Sequence, residues 1–137
     1  MNSLAPQQQR QQIFDAPSDA KITQTLSLCE KFTEQYYRCL SKSTCGKFYQ
    51  DNSKVIWNGT GMSGAQFKQM LQEIQKTMTH FDIHGLDCQP LGGELVLVNV
   101  SGLVKMGGGG KVQFAQTFVL EKTNGLMYIV SDCFRLV

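Results

Sequence analysis

The apolar positions of this chain change period twice along its length. From Ser18 to Leu40, Ile22, Leu26, Cys29, Phe32, Tyr36 and Leu40 recur every three or four residues, which predicts a long helix with one buried stripe and Ser18 as its cap. A short helix is expected over 44–49. Val55, Ile56 and Trp57 then read as a strand that stops at Asn58-Gly59, a pair suited to the positive φ of a tight turn. Ser63 and Gln66 have the spacing of a capping box, and Phe67, Met70, Leu71, Ile74 and Met78 give the helix that follows its apolar side. From Phe81 the period becomes two, with Phe81 and Ile83 alternating against His80, Asp82 and His84.

Three further strand-like runs, 95–105, 113–121 and 127–137, are joined by Gly92-Gly93, by the four glycines 107–110 and by Asn124-Gly125. Each connection suits an antiparallel hairpin, and Asn-Gly between apolar runs is the strongest short-range hairpin signal in the chain. Helices first and a meander last predict an α+β class, a curved antiparallel sheet packed on N-terminal helices.

Alternation divides those runs into two sets. The even-numbered set, Val96, Val98, Val100, Val104, Phe114, Phe118, Tyr128, Val130, Phe134 and Leu136, is large and apolar and is the expected core side. The odd-numbered set is Leu97, Asn99, Ser101, Leu103, Ala115, Thr117, Val119, Ile129, Ser131, Cys133 and Arg135. Solvated sheet faces usually alternate in charged residues, and this set is small, mixed and nearly uncharged. The expectation is that a second protein surface covers it.

Composition narrows the class. With 137 residues, 42% of them hydrophobic, the chain is long enough for one domain with a substantial core, expected over 18–137 after a flexible Gln-rich lead-in at 1–17. A formal charge of only +2 is too weak and too dispersed for an electrostatic nucleic-acid binder, and whether RNA is touched directly is left open by the sequence. No apolar run approaches the roughly 18 residues of a membrane span, and no signal-peptide layout opens the chain, so an intracellular protein without membrane contact is expected. Five cysteines, Cys29, Cys39, Cys45, Cys88 and Cys133, without a C-x-x-C pair read as reduced thiols packed as small apolar groups.

Candidate chemistry is sparse. An enzyme of the isomerase or dehydratase type would need a base and a donor around one pocket, and Asp87, Asp132, His80, His84 and Tyr128 are the candidates; none has a recognisable catalytic spacing. Asp87 and Asp132 read instead as internal hydrogen-bond acceptors, and Trp57 as a core residue. His80 and His84 lack a third metal ligand, and the glycines 107–110 before Lys111 lead into a strand rather than a phosphate-binding helix. No cofactor or metal is expected.

Several strings, in order, resemble the nuclear transport factor 2 family, and within it the export-related branch, the small subunit of the messenger RNA export receptor heterodimer. They are Val55-Ile56-Trp57-Asn58-Gly59 with Ser63-Gly64, Asp87-Cys88-Gln89-Pro90, Phe114-x-Gln116-x-Phe118, and Ser131-Asp132-Cys133-Phe134-Arg135, and the resemblance spans about residues 20–137. The glycines at 107–110 and the Gln-rich start depart from the family pattern. The resemblance implies a cone-like domain that dimerises through the exposed side of its bent sheet. It further implies a non-enzymatic subunit that pairs with a large messenger RNA export receptor and shuttles between nucleus, nuclear pore and cytoplasm. Phe-Gly nucleoporins would be met mainly through that large partner.

By the same resemblance, Arg135 matches an arginine that pairs with a carboxylate of the large subunit. The residues lean the same way, because the only acid on the odd-numbered side of these strands is Glu121, near the end of its strand, and a covered arginine needs a carboxylate. A two-fold homodimer would set Arg135 against the same acid-poor side, although Glu121 or an acid of an earlier strand is left as a mate. The alternative in this fold, a homodimeric import carrier for a GDP-bound small GTPase, calls for an acidic rim where these hairpins carry glycine.

Overall fold

The computed structural model describes residues 18–137, so the expected lead-in at 1–17 lies outside the described residues. Helix α1 spans Asp19–Leu40, and its cap is the expected one, with Ser18 Oγ accepting from the Lys21 amide at 3.1 Å. Cys29, Phe32, Tyr36 and Leu40 are buried as expected. Ile22 and Leu26 are exposed instead, and Thr25 takes the buried position in that part of the helix. A 3-10 turn, Cys45–Phe48, leads into strand β1, Tyr49–Trp57, which is longer than its apolar end announces.

Asn58 and Gly59 turn the chain with φ of 49° and 86° into β2, Thr60–Ser63, a short edge strand that the sequence did not signal. Helix α2, Gly64–Thr77, opens on the complete capping box: Ser63 Oγ accepts from the Gln66 amide and Gln66 Oε1 accepts from the Ser63 amide. Met78, expected on the helix, begins the next strand. That strand is β3, Met78–Gly92, followed by β4, Leu95–Met106, β5, Lys111–Thr123, and β6, Leu126–Leu136. All the expected hairpins form.

The six strands lie in the order β2-β1-β6-β5-β4-β3. The sheet is antiparallel throughout except where β1 runs parallel to β6, pairing Val55 with Asp132 and Trp57 with Phe134. Bulges bend β3 between Ile83 and Gly85 and break the β5–β6 register at Val119/Leu120. Opposite the first bend, Gly102 comes so close to β3 that a Cβ there would lie 2.0 Å from the Asp82 carbonyl oxygen, so no larger residue fits without moving backbone.

Both helices pack on one side of the sheet. Phe32 and Tyr36 of α1 meet Phe118 edge-on at 5.3 and 4.9 Å, Phe67 of α2 lies 4.7 Å from Tyr49, and Trp57 stacks on Phe134 at 4.0 Å. Trp57 is therefore a core residue, as the sequence suggests. Aromatic pairs of this kind add about 0.5–1.5 kcal/mol each beyond the area they bury.

Candidate partner-binding face

A bulge moves the parity of a strand, and here it revises the expected face. Val119 pairs with Ser131 but Leu120 pairs with Ile129, leaving Val130 as the extra residue. Ile129, expected outside, is fully buried beside Leu120 in the core, whereas Val130 and Tyr128, expected inside, leave it: Val130 is exposed and Tyr128 pairs with Glu121 on the outer side. The remaining expected residues share the outer side. Leu97, Leu103, Thr117, Val119 and Ser131 are half-buried, and Asn99, Ser101, Ala115, Cys133 and Arg135 are exposed.

Cross-strand pairing arranges this side in rows. One row runs Asp87, Asn99, Thr117, Cys133 and Ile56, from β3 across to β1; the next runs Gly85, Ser101, Ala115 and Arg135. Ile56, exposed beside Cys133, extends the apolar surface onto β1, a strand that the expected face did not include. Thr117 Oγ1 donates to Asn99 Oδ1 at 2.8 Å, so these two polar side chains satisfy each other. Arg135 has no ion pair among the described residues.

The two aspartates part company. Asp132 is the internal acceptor expected of it: Tyr49 donates its hydroxyl to Oδ2, and Gln116 Nε2 donates to Oδ1 at 2.7 Å. Tyr37 donates to Gln116 Oε1 at 2.7 Å, and the Tyr36 and Tyr49 hydroxyls share a hydrogen bond of 2.6 Å. Burial pushes the Asp132 carboxyl up to about 7, against the pull of the Gln116 and Tyr49 donors. Asp87 contradicts the expectation. It is exposed on the outer side, with no partner among the described residues, because the bulge before Gly85 moves it from the side that Phe81 and Ile83 occupy.

The enzymatic candidates do not converge. His80 and His84 are exposed, and His80 Nε2 lies 2.9 Å from Asp82 Oδ1, whose carboxyl is held below the usual range first by Lys111. Asp132 is sealed in the core. A groove of about 550 Å³ between α1, the 3-10 turn and β6 is lined by Leu28, Phe32, Phe48, Met127, Lys31 and Lys47 among others, with no carboxylate or histidine in its wall. Among the described residues no three His, Cys, Asp or Glu side chains gather as a metal site. What the site offers is a surface.

Residues 28–136 match the nuclear transport factor 2 (NTF2) domain. The chain belongs to the nuclear transport factor 2 family. NTF2-related export protein 1 of Bos taurus is 31% identical, over 83% of this chain and 89% of that protein. Nuclear transport factor 2 of Dictyostelium discoideum is 29% identical, over 83% of this chain and 94% of its own length. The solved NTF2 of Cryptosporidium parvum superposes with a TM-score of 0.74 at 25% identity, covering 90% of this chain and all of the other. Proteins named NTF2-related export protein and proteins named nuclear transport factor 2 thus match almost equally, and the relatives carry the names of transport factors rather than enzymes. The cone-like α+β fold expected for an NTF2 domain is the one observed.

Proposed function

We propose that this chain is a non-enzymatic small subunit that pairs, through the outer side of its sheet, with a large messenger RNA export receptor and supports export through the nuclear pore. The carrying observation is the outer side itself. Its central rows hold Leu97, Val119, Thr117, Ala115, Cys133 and Ile56 uncovered, with Arg135 lacking a carboxylate among the described residues. Depletion of charge at the centre of a surface, with a planar cation beside it, is the composition of an interface rather than of a solvated sheet. Two sheets packed at ordinary size would bury roughly 1,600 Å² in total. The protein would work in the nucleus and at the pore, shuttling to the cytoplasm, with Phe-Gly nucleoporin contact falling mainly to the large subunit.

Asp87 gives the homodimeric import carrier some support, since a second copy could offer Arg135 an acid. Against that role stands the β4–β5 hairpin, where glycines 107–110 lie between Lys105 and Lys111 and the nearby Asp82 is already bound to Lys111 at 3.0 Å. An acidic rim for a GTPase is missing from that loop. Co-expression of the tagged chain with the large export receptor, followed by sedimentation, tests the proposal: a one-to-one complex is expected. A stable monomer that ignores the receptor overturns it, as does a homodimer that binds a GDP-loaded GTPase instead.

A further inference from the structure

Two cysteines stand outside every role assigned above. Cys29 is on α1 and fully buried, whereas Cys88 is on β3, half-buried, and packs against the core. The bulge before Gly85 puts Cys88 on that side: Asp87 turns outward, and Cys88 pairs in register with the buried Val98.

The path of α1 over the sheet brings the two together. Near the start of the helix, Thr25 and Leu28 share a cleft of about 120 Å³ with Pro90 and Val96. Near its end, the Tyr37 ring lies 5.3 Å from that of Phe81. The helix therefore runs along β3 in the opposite chain direction. Cys29, one turn after Thr25, meets Cys88, two residues before Pro90 and on the same side of the strand. The two thiols share a hydrogen bond, and burial first, then Cys88, pushes the Cys29 thiol up to about 12. All five cysteines are free.

Packing alone asks little of these positions, because a cysteine in a core serves as a small apolar group. Two thiols in contact, one sealed and one reaching solvent, can also be joined. We propose that Cys29 and Cys88 are a site of reversible oxidation, closing under peroxide to a disulfide that staples α1 to β3.

The accessible member reacts first. The Cys88 thiolate attacks one peroxide oxygen and the O–O bond breaks, leaving a sulfenic acid and hydroxide, which takes up the proton that Cys88 lost on ionising. The Cys29 sulfur then attacks the Cys88 sulfur, the S–O bond breaks, and the Cys29 proton leaves with that oxygen as water. Two electrons pass from the sulfurs to peroxide, which ends as two waters, and a dithiol reductant reverses the bond. The staple forms on the core side and leaves the outer side of the sheet free. It closes a loop of about 60 residues, a constraint on the unfolded chain that should raise the urea midpoint by about 1 M.

The test treats the reduced full-length chain with hydrogen peroxide, alkylates the remaining thiols, and digests without reduction for mass spectrometry. A Cys29–Cys88 crosslinked peptide is expected, lost on adding dithiothreitol, together with the higher urea midpoint of the oxidised chain. Cys88→Ser, at a half-buried position, should remove both the crosslink and the shift. Cys29→Ala should leave Cys88 as a sulfenic acid that dimedone traps. The proposal is overturned if Cys29 stays reduced while Cys88 proceeds to sulfinic acid, or if Cys39 and Cys45 join in place of this pair. A crosslink that forms yet lowers the midpoint would overturn the staple.

Discussion

The two sides of this sheet treat charge in opposite ways. On the core side, Asp132 is enclosed with both carboxylate oxygens occupied, by Tyr49 and Gln116, and those donors are tied in turn to Tyr36 and Tyr37. On the outer side, Asp87 and Arg135 stand clear of each other and of any partner among the described residues. A network closed within one chain serves folding. Charges left open beside an uncharged, half-apolar centre fit a surface made for a second chain, because covering them unpaired is expensive whereas cross-pairing them sets orientation.

The sharpest way to separate the two sides is to damage each and read both stability and binding. Phe118→Ala removes a fully buried ring that meets Phe32 and Tyr36, and should cost about 3–5 kcal/mol in urea unfolding, leaving the affinity of the folded fraction for the partner unchanged. Asp132 makes the core side sensitive to pH. Its carboxyl titrates at about 7 in the folded chain, against an ordinary value of 3.8, so the native state holds the proton that the unfolded state has released. The contribution of this group to stability is therefore fully present below about pH 4 and is lost as pH rises towards 7, by a total on the order of 4 kcal/mol. Asp132→Asn should flatten that slope in denaturation measured across the range; an unchanged slope would place the proton elsewhere.

On the outer side, Arg135→Ala should leave the urea midpoint within experimental error while weakening the complex by about 2–5 kcal/mol, measured by titration calorimetry. The smallest effect expected is for Ile56→Ala. As an apolar side chain at the margin of the surface it should contribute about 1–2 kcal/mol to binding and almost nothing to folding. Loss of stability rather than affinity in either variant would mean that the two sides are not independent.

What could be read from the sequence was what depends on neighbours in the chain. The Ser18 cap, the Ser63–Gln66 box and the Asn58-Gly59 and Asn124-Gly125 turns each carry their physics within four residues, and all form. Alternation identified most of both sheet sides by the same local logic. It failed where a bulge adds a residue, since Ile129 went to the wrong side because of Val130; Asp87, read as an internal acceptor, lies outside because of the bulge ahead of Gly85. The parallel pairing of β1 with β6 has no local signature at all, since it joins residues more than seventy positions apart, and with it Ile56 was missed. The weakly charged outer side was thus visible in composition, but its charge layout depends on register.

Cys133 offers the most direct measurement of the central claim. It is the one exposed thiol of the five, in the row between Thr117 and Ile56, while Cys29 and Cys45 are buried. Its rate of alkylation by a maleimide, followed by mass spectrometry in the free chain and in the complex with the large export receptor, reports whether this side is covered. The account predicts ready labelling of the free chain and strong protection in the complex. Equal labelling in both, with the complex intact, would contradict it.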